Sequence, residues 1–225
     1  MIVANRALTN SGRHPLPAAP STWVQTASGK AMSLMVPAQS SVDFVQDIAP
    51  QLAKLARFNG ATDGAFYSVA QHCVMGADAL MVETRRVELA AYFLLHDAHE
   101  AYIGDTPTPV VAALAEIGRI AGIGSEGDDI SHIFAELKSR LDSAIHAAAG
   151  LSAPDANIRA HIREMDLRML ATERRDLLRP VTGKTFEPAS PIRGGRIRPW
   201  PWPKAADLWL ARLKQYCPTA FLRAA

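Results

Sequence analysis

The sequence predicts an all-α domain behind a short hairpin-like arm, and three observations support that expectation. Between Asp43 and Leu178, apolar residues recur at helical rather than alternating spacing. Helix start and stop residues punctuate this stretch, with Ser68 ahead of one run, Gly104 after another and Gly150 after a third. Strand-like segments are confined to the region before Pro37. There Thr22 to Thr26 and Ala31 to Val36 flank Ala27-Ser28-Gly29-Lys30, which suits a small hairpin.

Taken in order, residues 1–20 carry Pro15, Pro17 and Pro20 and read as a loose leader. Residues 21–42 form the extended arm, 43–216 a single helical domain and 217–225 a C-terminal tail. The periodicity places helices at roughly 43–57, 68–83, 86–103, 107–120, 128–149 and 154–178. Asp43 and Ser68 suit N-caps, and Pro154 suits a first-turn position. Residues 179–203 are rich in Pro, Gly and Arg and read as an extended loop. A last helix, 204–216, has Leu208, Trp209, Leu210 and Leu213 as its apolar face.

Composition narrows the function classes. With 225 residues and 48% hydrophobic content, the chain can bury a sizeable core, which argues against general disorder. Its 24 basic and 22 acidic residues leave a formal charge of +2, without the basic footprint of a nucleic-acid binder. Cys73 and Cys217 make neither a disulfide framework nor a CxxC metal knuckle, and a reducing cytoplasm is the simplest compartment. No run of about 18 apolar residues suggests a membrane span, and the first 20 residues lack a secretory apolar stretch.

The chemistry-bearing residues are His72, the adjacent pair His96-Asp97, and Asp166, all in helical segments. Imidazole nitrogen with carboxylate oxygen suits a divalent transition metal without any cysteine. Such an ion can activate water and neutralise charge on phosphorus. Each residue also has a plainer reading. His72 suits a satisfied core histidine, a His-Asp dipeptide arises by chance, and Asp166 suits a partner for Arg163 or Arg168. Glu100 follows His96 by four residues and Asp97 by three, so it shares their helix face. Asp105 follows Gly104, where a carboxylate can turn back toward the same place. Thr106 can cap a new helix opening with Pro107 and Pro109, leaving amide donors for an anion.

Three segments together resemble the HD-domain phosphohydrolases: Tyr67 to His72, Leu94 to Pro109 (reading LLHDAHEAYIGDTPTP) and Met165-Asp166. Within that superfamily the likeness is greatest to the bacterial and phage branch of HD-domain 5′-deoxynucleotidases. The resemblance implies an HD-domain helical bundle with one divalent ion held by His72, His96, Asp97 and Asp166. Manganese, cobalt, zinc, iron and nickel all suit such a ligand set. It further implies Glu100 and Asp105 beside the water and the scissile phosphate, and Arg57 as the phosphate-holding arginine. Phe58 falls where the deoxynucleotidase has a sugar-contacting tryptophan, and it has no ring N–H to donate. Two other departures are Val110-Val111-Ala112, where relatives carry a basic residue, and His99, where a small residue is common.

The expected function is therefore metal-dependent hydrolysis of a nucleotide, with a deoxynucleoside 5′-monophosphate as the leading substrate. The alternatives are a deoxynucleoside triphosphate triphosphohydrolase and a non-catalytic nucleotide sensor. No membrane or stable nucleic-acid partner is expected, and homodimerisation is common among the relatives resembled.

Overall fold

The computed structural model describes residues 22–123, 130–184 and 189–221. The expected leader, residues 128–129 of the fifth expected helix and the last four residues of the tail lie outside them. The chain is mostly helical, with one two-stranded antiparallel hairpin at the N-terminal side. Strand β1 (Trp23–Gln25) pairs with β2 (Ala31–Ser33), Val24 opposite Met32, and Met32 is buried. The hairpin is tied to the helical body because the Ser28 backbone N–H and hydroxyl both donate to buried Asp47, at 2.6 and 3.0 Å.

The helices are α1 (Ala49–Lys54), α2 (Val69–Thr84), α3 (Val87–Leu95), α4 (Glu100–Ile103), α5 (Thr108–Ile120), α6 (Ile130–Ala149), α7 (Ala156–Leu177) and α8 (Trp202–Tyr216). Asp43 caps a wide turn, Phe44–Ile48, that leads into α1, and Ser68 caps α2 by accepting from Gln71 N–H at 3.2 Å. α2 packs extensively on α3, α8 lies against α1, α2 and α3, and α7 contacts α2 and α3. α3 has seven consecutive buried residues, Leu89 to Leu95, so it runs through the core rather than along its surface. Gly76 permits the close approach of α2 and α3, because a Cβ there would sit 2.1 Å from the Phe93 ring. The Phe93 ring in turn lies 5.7 Å from His72 and 4.4 Å from His96 by centroids, so it packs against both imidazoles.

Four expectations are corrected. The helix expected over 43–57 ends at Lys54. Leu55 to Arg57 instead runs antiparallel to Tyr67 to Val69, through Arg57 N–H to Tyr67 O and Val69 N–H to Leu55 O. The helix expected over 86–103 is interrupted at His96–His99. There the backbone tightens to three-residue spacing, with Ala98 N–H donating to Leu95 O and Glu100 N–H to Asp97 O. Thr106 does not cap α5, which starts at Thr108 behind Pro107 with no side-chain cap. Pro154 stands outside α7, and Asp155 caps that helix by accepting from Ile158 N–H at 2.7 Å.

Among the described residues, no helix is long and apolar enough to cross a membrane. Both cysteines are free and buried.

Candidate metal centre

Four elements converge on one point. α2 carries His72, the tight turn after α3 carries His96 and Asp97, α7 carries Asp166, and the extended Leu55–Arg57 segment delivers Arg57 beside the start of α2. His72 Nε2 and His96 Nε2 are 3.4 Å apart. Asp97 Oδ2 lies 3.7 Å from His72 Nε2 and 3.1 Å from His96 Nε2. Asp166 Oδ1 lies 3.3 and 3.8 Å from the same two nitrogens. Tetrahedral ligands with bonds near 2.1 Å sit about 3.4 Å from one another, so this spacing suits a single ion.

The tautomers sharpen the argument. His96 Nδ1 lies 2.6 Å from the Phe93 carbonyl, which can only accept, so that nitrogen carries its proton. His72 Nδ1 lies 2.6 Å from Glu173 Oε1 and donates to it. Both Nε2 lone pairs therefore face each other, and a cation or an extra proton must separate them. A carboxylate or carbonyl behind each ring is also how metal-binding histidines are commonly oriented.

The electrostatics agree. Burial raises the cost of ionising Asp97, yet His96, His72 and Arg57 hold its pKa far below the usual carboxylate range. Burial opposes ionisation of Asp166 too, and hydrogen bonds from His72 and His96 outweigh it. Burial also opposes protonation of His96, but Asp97 and Asp166 raise its pKa well above the ordinary value. The cluster thus holds two ionised carboxylates that attract positive charge to the imidazole pair.

Glu173, which sequence reading passed over, forms the floor. It is fully buried and accepts from His72, from Arg57 Nη2 at 3.2 Å and from the Tyr67 hydroxyl at 2.9 Å. Its pKa is lowered because Arg57 and His72 overcome the effect of burial. The missed signal was spacing, since Glu173 lies seven residues after Asp166 on the same face of α7.

Arg57 bridges this floor to the cluster, donating to Glu173 and to Asp97 Oδ2 at 3.4 Å, and its buried Nε–H has no partner. Phe58 adopts a left-handed backbone (φ 57°), and the Arg57 guanidinium lies 5.4 Å from its ring. It lines a groove of about 390 Å³ with Thr62, Asp63 and Arg179. A separate cavity of about 690 Å³ reaches His96 and Asp166 and is bordered by Tyr92, His146, Arg159 and Arg163.

Glu100 is buried, and burial, then Asp97 and Asp105, push its pKa up to about 10. Burial likewise raises the pKa of Asp105, which senses Arg57, Asp97 and His72. Both carboxyls therefore belong electrostatically to the site. Thr106 is half-buried beside Asp105.

No family model matches the chain. It is 33% identical over 202 residues to the uncharacterized protein RCAP_rcc00048 of Rhodobacter capsulatus, covering 84% of this chain and 93% of that one. The chain belongs to that protein's family. It is also 34% identical over 133 residues to the uncharacterized protein YfdR of Escherichia coli, across 59% of this chain and 60% of that protein. Neither relative's name states an activity.

Proposed function

We propose that the chain is an HD-type metal-dependent phosphohydrolase acting on a nucleotide, with a deoxynucleoside 5′-monophosphate as its substrate. The observation that carries this reading is the pair of Nε2 atoms 3.4 Å apart with both Nδ1 protons committed elsewhere. His72, His96, Asp97 and Asp166 would hold one divalent ion, which supplies Lewis acidity toward a phosphoryl oxygen and lowers the pKa of water.

The chain's own groups supply the rest. Arg57 is held rigidly by two carboxylates, and its guanidinium suits the oxygens of a phosphate entering beside Asp97. Asp105 and Glu100 supply the carboxyls beside this cluster, and burial raises the pKa of each. Asp105 is placed to accept a proton from the attacking water, and Glu100, whose pKa is pushed up to about 10 and which therefore carries its proton at neutral pH, to give one to the leaving sugar oxygen. The cavity bordered by Tyr92, His146 and Ile162 offers space for the nucleoside.

The test is a matrix of mono- and triphosphates of the common nucleosides against manganese, cobalt, zinc and magnesium, with products separated chromatographically. Release of inorganic phosphate and nucleoside from dAMP or another deoxynucleoside monophosphate is the expected result. Tripolyphosphate from dATP would replace this reading with the triphosphohydrolase, and nucleotide binding without turnover would replace it with a sensor.

A further inference from the structure

A second group of metal-ligating side chains adjoins the first. A ring nitrogen of His99, a carboxylate oxygen of Asp97 and one of Glu100 lie within 4.8 Å of one another. Asp97 belongs to both groups, and a carboxylate has an oxygen to offer each of two centres. The tight turn that interrupts the expected helix makes this possible, because three-residue spacing stacks Asp97 and Glu100 on one face.

Two independent features point to a ligand here. His99 is 2% exposed, and its Nδ1 donates to Asp142 Oδ1 at 2.8 Å. That leaves Nε2 as a buried acceptor, and it has no hydrogen-bond partner. Glu100 is 8% exposed, and its buried Oε2 also lacks a partner. Two buried polar atoms without a partner, beside a carboxylate oxygen of Asp97, are costly unless a ligand satisfies them, and a cation suits all three. The pairing of His99 with Asp142 behind it repeats the pairing of His72 with Glu173. In each case a carboxylate fixes Nδ1–H and presents Nε2.

We propose that Asp97, His99 and Glu100 hold a second divalent cation, with Asp97 bridging it to the ion between His72 and His96. The proposal rests on the reading of the first site and goes beyond it, since that reading needs one ion. Mixed nitrogen and oxygen donors suit manganese, iron, cobalt or zinc. With Glu100 engaged as a ligand, proton handling falls to Asp105. Paired ions in phosphoryl-transfer sites commonly stabilise both the attacking and the leaving oxygen.

The test counts ions. Metal-stripped wild-type protein is saturated with Mn²⁺, desalted and measured by elemental analysis and electron paramagnetic resonance. Two ions per chain and an exchange-coupled spectrum are expected. H99A is expected to retain one ion with an uncoupled spectrum, and thermal melts in chelator confirm that it folds. D142N, which keeps the side-chain volume, is expected to weaken the second ion by about 10–100-fold. Wild-type saturation at one uncoupled ion, unchanged in H99A and D142N, overturns the second site and leaves the first standing. No bound ion in any protein overturns both.

Discussion

Two glutamates are buried in the same centre, and their surroundings drive them to opposite states. Glu173 on α7 meets Arg57, His72 and Tyr67, and its pKa is lowered. Glu100, opening α4, has an unpartnered oxygen and two carboxylate neighbours, and its pKa is pushed up to about 10. Burial alone does not decide the charge of a carboxyl; the partners do. The floor of the site pairs its buried carboxylate with three donors, whereas the rim leaves a buried carboxyl oxygen without a partner.

Breaking the floor has the largest expected effect. E173A leaves Arg57 and His72 without their buried counter-charge and is expected to cost about 3–5 kcal/mol in denaturant unfolding. An unchanged midpoint would mean that Glu173 is not the anchor described here. At the rim, E100Q is expected to lower turnover by about 100-fold with no loss of folding stability. Equal activity in that variant would remove Glu100 from the chemistry. A smaller change sharpens the floor side: Y67F deletes one donor to a charged acceptor and is expected to cost about 1.5 kcal/mol.

A last contrast concerns pH, measured in chelator. The folded-state pKa of Glu100 lies above its ordinary value of 4.5, so ionising it costs stability progressively as pH rises from 4.5 toward about 10. The stability advantage of E100Q over wild type should therefore grow with pH across that window. Glu173 has the opposite sign. Its contribution is present above the ordinary carboxylate pKa and is lost as pH falls through its lowered value.

Much of this contrast was not legible in the sequence. His72, His96-Asp97 and Asp166 stood out because their residue types suit a metal and their neighbouring segments resemble a family. The long helices were legible from apolar spacing and from caps such as Ser68 and Gly104, whose φ of 80° ends α4. Glu173 was hidden in Glu173-Arg174-Arg175-Asp176, a run that reads as a solvated face. Its burial depends on Arg57, 116 residues away in sequence. The tightening at His96–His99 carries no Gly or Pro, so only packing reveals it. For Thr106-Pro107-Thr108-Pro109, local pattern offers two registers, and the chain uses the later one. His99 was noticed in the sequence, but its partner Asp142 lies 43 residues on, in α6, and only the fold joins them.

The central claim, that the two imidazoles share an ion, is tested most directly by anomalous diffraction at the zinc edge from crystals grown with zinc. The account predicts a peak about 2.1 Å from both His72 Nε2 and His96 Nε2. Zinc peaks confined to other positions, with none in bonding range of either nitrogen, would contradict it.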